Sequence, residues 1–262
     1  MPLRALNEVE LDGVGAEPDD ELNGAIESEI LPRLALLHRR ADVQSCGDDR
    51  RPPSDAEARE LAELAVDDDH AGMLAFVERL CRSGSSFDAV VLGLIPRAAR
   101  LLGADWKIDR KSFVQVSQGL GSLQALVGAF RPNVESGGDK GLVVLVPAWG
   151  EQHLLALYLC ANTLRRSGWA ALVVPGLAPA ELNELVAAQP VAAVGISVTD
   201  AQRVSRVGEM IDGVLQHSKN RNVRVILGGS AAGLERLADG YRIVVAADAF
   251  ECLRVLETRA VG

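Results

Sequence analysis

The chain has 262 residues, 48% of them hydrophobic, and carries 27 Lys and Arg against 36 Asp and Glu, a formal net charge of −9. That length holds one large or two modest domains with ample core. The acidic balance, with no basic stripe and no helix-turn-helix pattern, argues against a direct nucleic-acid surface.

No run approaches the ~20 uninterrupted apolar residues of a membrane span. The N-terminal MPLRALNEVELDG has acids where a secretory leader is apolar. Cys46, Cys81, Cys160 and Cys252 are scattered without a CxxC pair, so reduced thiols in a cytoplasmic protein are expected.

Residues 1–19 are acidic and turn-rich. Over 20–40 the spacing of Ile26, Ile30, Leu34 and Leu37 predicts an amphipathic helix, kinked or restarted at Pro32. The polar stretch 41–53 reads as a loop, so 1–53 is an acidic N-terminal segment with one helix. Ser54, with Glu57 three residues on, reads as a helix start. It opens a run of helices near 55–65, 68–82, 86–102 and 109–130, punctuated by Gly84, Gly103 and Pro132. Each has an apolar face, as Leu74, Phe76, Val77 and Leu80 show in the second. A four-helix bundle over 54–130 is therefore expected, then a linker over 131–140.

From 141 to 262 strands and helices alternate: strand 142–146, helix 152–167, strand 170–174, helix 179–187, strand 192–197, helix 201–217, strand 223–227, helix 230–238, strand 243–246 and helix 248–258. Short strands with long crossovers predict a parallel sheet, and right-handed crossovers make it doubly wound and flavodoxin-like. The fold class is thus α/β, with a helical N-terminal region.

Ligands of such sheets collect beyond the carboxyl ends of the strands. Glu151-Gln152-His153 stands there after the first strand, an imidazole preceded by a carboxylate that can hold its tautomer for metal ligation. Ser197-Val198-Thr199, Gly228-Gly229 and Ala247-Asp248-Ala249 stand at the ends of later strands. Plainer readings exist for each: a histidine at a helix start, strand-end hydroxyls bonded to backbone, a turn into a helix.

Over roughly residues 140–257 the set resembles a cobalamin-binding domain of the methionine synthase type. That family reads Asp-x-His-x-x-Gly, then Ser-x-Leu or Ser-x-Thr, then Gly-Gly. Here the segments are Glu151-Gln152-His153-Leu154-Leu155-Ala156, Ser197-Val198-Thr199 and Gly228-Gly229. The resemblance implies His153 as lower cobalt ligand in place of the cofactor's own dimethylbenzimidazole, with Glu151 on the other ring nitrogen. It implies that Gln152 and Leu154 are cofactor contacts, and that the displaced nucleotide tail passes Ser197, Thr199, Gly228 and Gly229. Two departures stand out: Glu151 is one methylene longer than Asp, and Ala156 adds a methyl where the family has Gly.

Trp106 resembles the tryptophan that helical caps set over the upper face of cobalamin; a core or hinge aromatic is the plainer reading. Cobalamin photoreceptors carry a Glu-His pair ten residues after that tryptophan. Val116-Ser117 stand there in this chain, so that upper-face chemistry does not carry over. His38 and His70 are the candidate upper ligands, and His217 is a weaker one.

The stretch Ile26-Glu27-Ser28-Glu29-Ile30-Leu31-Pro32-Arg33-Leu34, followed by Leu36-Leu37-His38-Arg39, is similar to the opening helix of the AerR/PpaA regulators of photosynthetic bacteria. That resemblance implies a cobalamin-dependent, light- or redox-responsive antirepressor acting on a CrtJ/PpsR-type repressor of photosystem genes. No nucleophile or acid–base pair for turnover is evident, so no enzyme is expected. The alternatives are a corrinoid carrier of a methyltransferase system and a haem-binding sensor on the same fold.

Overall fold

The structure, a computed structural model, describes residues 53–130, 140–231, 233–241 and 243–258. The expected helix over 20–40, with Pro32 and His38, lies outside the described residues.

Four helices open the described chain. Helix α1 (Asp55–Val66) starts at the reciprocal cap expected of Ser54 and Glu57, in which Ser54 N donates to Glu57 Oε2 at 2.7 Å. Helix α2 (His70–Arg82) starts two residues later than the sequence reading, because Asp68 takes a left-handed φ of 55° and Asp69 becomes the N-cap. A π-helical turn, Ala89–Leu94, leads into α3 (Ile95–Lys107). Pro96 explains that turn: it has no N–H for the α-helical ladder and its ring crowds the carbonyl four residues back.

Helix α3 runs through Gly103, which the sequence reading took as its end. The break comes instead at Asp109, with φ 55°. Helix α4 (Phe113–Ala129) follows from a Ser112–Gln115 capping box. Leu61, Met73, Leu94, Ile95, Leu102, Leu123, Leu126 and Phe130 form a core shared by all four helices.

The remainder is a five-stranded sheet of β1 (Leu142–Pro147), β2 (Ala170–Val173), β3 (Val191–Ser197), β4 (Arg224–Gly228) and β5 (Val244–Ala246). All pairings are parallel and the order is β2-β1-β3-β4-β5, the expected flavodoxin-like winding. The intervening helices are α5 (Leu155–Arg166), α6 (Pro179–Ala188), α7 (Val204–His217), α8 (Leu234–Tyr241) and α9 (Ala249–Glu257).

Strand side chains alternate, so β1 sends Val143 and Leu145 under α5 and α9, and Val144 and Val146 under α6, α7 and α8. Helix α8 begins four residues later than the sequence reading. Gly229 (φ 116°) and Gly233 (φ 96°) both take left-handed backbone that a helix does not accommodate.

Helix α5 joins the two layers. Its Leu159 enters the bundle core, Asn162 Nδ2 donates to Phe130 O at 3.0 Å, and the Arg166 guanidinium lies 3.9 Å from the centre of the Phe87 ring. Cys160 and Cys252 are free, whereas Cys81 is disulfide-bonded, against the expectation of reduced thiols throughout. Spacing along a chain does not report proximity in the fold. Among the described residues no helix is long and apolar enough to cross a membrane.

Candidate functional site

Strands β1 and β3 are neighbours, but the chain leaves β1 toward β2 and leaves β3 toward β4 on the other side. The two loops diverge and open a crevice at that switch point. Glu151 and His153 stand on the first loop and Thr199 on the second. The loops are tied by Ala148 N donating to Ser197 O at 2.9 Å and Arg203 Nη1 donating to Trp149 O at 3.0 Å.

The Glu151 side chain is buried and both its oxygens are saturated. Oε1 accepts from His153 Nδ1 at 2.5 Å, Gln152 N at 3.0 Å and His153 N at 3.2 Å. Oε2 accepts from Thr199 Oγ1 at 2.6 Å and Thr199 N at 3.1 Å. In the neutral ring, donation from Nδ1 to the carboxylate sets the tautomer that carries its lone pair on Nε2, on a side chain 70% exposed. The extra methylene of Glu151 does not prevent the arrangement expected of an Asp.

Burial by itself would raise the Glu151 carboxyl. The hydrogen bonds from the Thr199 and His153 side chains outweigh it and bring the pKa from 4.5 to about 2. A depressed folded-state pKa means the carboxylate adds stability that is complete above pH 4.5 and is lost as pH falls toward about 2. The thermal midpoint of the wild type should therefore drop over that window. A Glu151→Gln variant should start lower at neutral pH and converge on the wild type in acid. Parallel curves for the two proteins would remove Glu151 from the network.

Behind the loops lies a cavity of about 90 Å³, lined among others by Leu145, Gly195, Ser197, Gly228 and Gly229. Ser197 Oγ is buried there without a hydrogen-bond partner among the described residues. Such an orphan costs free energy unless a ligand or water meets it. Ala156, Ala247, Asp248 and Ala249 line both this cavity and a larger cleft of about 650 Å³. That cleft separates the segment around Ala89, Leu92 and Pro96 from the start of α9.

The structure thus brings together Glu151, His153 and Thr199 as a bonded cluster, with Ser197, Gly228 and Gly229 at the cavity beside it. Gln152 contributes its backbone N–H, and its side chain is exposed. Leu154 is half-buried and packs against the core under α5. Trp106 lies in the last turn of α3, not in a loop. It is half exposed with its ring 6.3 Å from Phe113, and it lines neither the cavity nor the cleft.

His70 is buried in the bundle with Nε2 3.4 Å from Asp68 Oδ1, so it presents no accessible nitrogen to a metal. His217 sits in the last turn of α7, its Nδ1 2.9 Å from Gly213 O. Sequence reasoning missed Gly195, Arg203, Cys160 and Cys252. Only the first left a signal: a glycine inside a strand marks a close approach, and a Cβ at Gly195 would stand 2.6 Å from Leu145 Cδ2.

No family model matches the chain. A curated relative from Rhodobacter capsulatus, described as an uncharacterized 20.5 kDa protein in the bchF-crtJ intergenic region, is 34% identical over 142 residues. The match spans 52% of this chain and 72% of that protein. Among solved structures, the monomethylamine corrinoid protein of Methanosarcina barkeri superposes with a TM-score of 0.63, over 77% of this chain and 98% of that chain. At 15% identity this establishes a shared fold. A cobalamin-binding protein of Desulfitobacterium hafniense DCB-2 has a TM-score of 0.41 at 15% identity, over 78% of this chain and 98% of that one.

Proposed function

We propose that this chain, which belongs to the same family as the 20.5 kDa protein of the Rhodobacter capsulatus bchF-crtJ intergenic region, is a cobalamin-binding regulator that acts as an antirepressor on a CrtJ/PpsR-type repressor of photosystem genes. The observation that carries the cofactor assignment is the outward Nε2 of His153, held by a saturated Glu151, beside a glycine-lined cavity with an orphaned serine hydroxyl. One imidazole would suffice for a metal that arrives already held in a macrocycle. The cavity suits the displaced nucleotide tail, because Gly195, Gly228 and Gly229 leave room and Ser197 Oγ offers a polar contact.

When bound, cobalamin supplies a light-labile cobalt–carbon bond. The residues would do the rest: His153 would hold the metal through Nε2, with Glu151 accepting from Nδ1 to fix the ring and Thr199 donating to Glu151 to fix the carboxylate. The cleft beside the bundle gives a change at the cofactor a route to the helices, through Ala247–Asp248–Ala249 on one wall and Ala89, Leu92 and Pro96 on the other.

The relative's description by its bchF-crtJ location supports a photosynthesis-gene role. The corrinoid protein that shares the fold keeps the methyl-carrier reading in view as the competitor.

An absorption spectrum of loaded protein separates corrin from haem, which shows a dominant Soret band. For the regulatory role the measurement is repressor–DNA affinity with and without this protein, in the dark and after light. A several-fold change in one illumination state is expected, with no shift of the promoter fragment by this protein alone at physiological salt, given its net charge of −9. Tight, salt-sensitive DNA binding by this protein alone would overturn the partner-mediated reading. No effect on the repressor in either state would favour the carrier.

A further inference from the structure

The cavity carries two thiols that the ligand chemistry above does not use. Cys160 stands on α5 and Cys252 on α9, the two helices that cover one face of the sheet, and both line the 90 Å³ cavity together with Ala156, Ser197 and Ala249. Both are free, and Cys252 is buried. The two thiols are neighbours close enough to affect one another. That interaction and burial push the Cys160 thiol well up, and the interaction with Cys160 brings the Cys252 thiol down. The direction of these shifts favours Cys252 as the nucleophile and Cys160 as its protonated partner. Two sulfurs from helices remote in sequence, lining one cavity of about 90 Å³, make a built dithiol site.

We propose that Cys160 and Cys252 form a redox-active dithiol, oxidised by a hydroperoxide, whose disulfide narrows the cavity and excludes the nucleotide tail of cobalamin. The identity of the excluded ligand rests on the cobalamin reading; the chemistry of the pair does not. The Cys252 thiolate attacks one peroxide oxygen, the O–O bond breaks, and hydroxide leaves to take up the proton that Cys252 had released. The resulting sulfenic acid is attacked by the Cys160 sulfur. The S–O bond breaks, the S–S bond forms, and the hydroxyl leaves with the Cys160 proton as water.

Two thiols and one hydrogen peroxide give one disulfide and two waters, a two-electron exchange. An S–S bond of about 2.05 Å draws α5 toward α9. Ala156 and Ala249, which line both cavity and cleft, stand on those same helices.

The test uses the full chain, reduced or treated with stoichiometric hydrogen peroxide, and reads two quantities. Peptide mass spectrometry detects a Cys160–Cys252 cross-link, and titration gives the affinity for hydroxocobalamin and for aquacobinamide, which has the corrin but no nucleotide tail. The expected result is the cross-linked peptide and at least a tenfold loss of hydroxocobalamin affinity. Thiol reductant restores that affinity, aquacobinamide binding stays unchanged, and a Cys252→Ser variant gives no response to peroxide. Absence of the cross-link overturns the proposal, as does a cross-link with unaltered hydroxocobalamin affinity, or an equal loss for both corrinoids. Reduced protein that takes up neither corrinoid sinks the cobalamin reading and the tail-exclusion claim with it, and the peptide then decides the dithiol by itself.

Discussion

Replacing His153 by alanine is expected to weaken cobalamin retention by at least about 100-fold, since loss of an outer partner of a metal-bound histidine already costs 10–100-fold. Any cofactor that remains should show a base-on or water-ligated spectrum. The mutation removes the one nitrogen that the Glu151 network turns outward, together with the Nδ1 hydrogen bond to Glu151. The His153 side chain is 70% exposed, so the protein should still fold, with a stability loss of about 1.5–3 kcal/mol for that bond to a carboxylate. Equilibrium dialysis and spectra of loaded wild type and variant decide the matter, with circular dichroism as the control. Equal affinity and identical spectra would place His153 outside the coordination sphere.

The second large effect concerns stability. Gly229→Ala is expected to destabilise the protein by about 2–6 kcal/mol, summing the cost of a non-glycine residue in a sparsely populated backbone region and that of overpacking. Gly229 has φ 116°, and a Cβ there would overlap the backbone O, C and N atoms of Val198. That backbone has little freedom to yield: Val198 N donates to Gly228 O at 2.8 Å and Val198 O accepts from Ala231 N at 3.1 Å.

Gly228, one residue earlier, should behave differently. A Cβ there meets only Ala246 O at an ordinary 3.6 Å, so Gly228→Ala should fold normally. Gly228→Leu should fill the cavity and lose cofactor out of proportion to the ~1–3 kcal/mol that overpacking costs; Ser197→Leu should do the same. Urea unfolding with parallel cofactor loading distinguishes the pair. A Gly229→Ala protein as stable as the wild type would mean the β3 and β4 ends are not locked as described.

The parts of the site that were legible in the sequence are local ones. Glu151 and His153 are two residues apart, and their position after an apolar run placed them at a strand end. The order of the strands then put Ser197, Thr199 and Gly228-Gly229 at neighbouring ends. The parallel sheet was legible for the same reason, since strand–helix alternation leaves few windings.

What escaped the reading depends on contacts between distant segments or on backbone detail. Arg203 looks like one more surface cation until its guanidinium is seen on the Trp149 carbonyl. Cys160 and Cys252 share no motif, because the helices that carry them meet only when the sheet is wound. Gly103 read as a stop because glycine weakens helices, yet tertiary packing of Leu102 into the bundle core carried α3 past it.

The central claim is that His153 would supply a nitrogen ligand to the metal of a bound cobalamin. The most direct measurement is the electron paramagnetic resonance spectrum of the protein loaded with cob(II)alamin, once with natural histidine and once with histidine labelled throughout with nitrogen-15. An axial nitrogen-14 splits each cobalt line into three and a nitrogen-15 into two. Conversion from triplets to doublets on labelling is the result expected of His153, provided it is lost in His153→Ala. Triplets that persist in the labelled protein would mean the cofactor keeps its own base and would contradict the account.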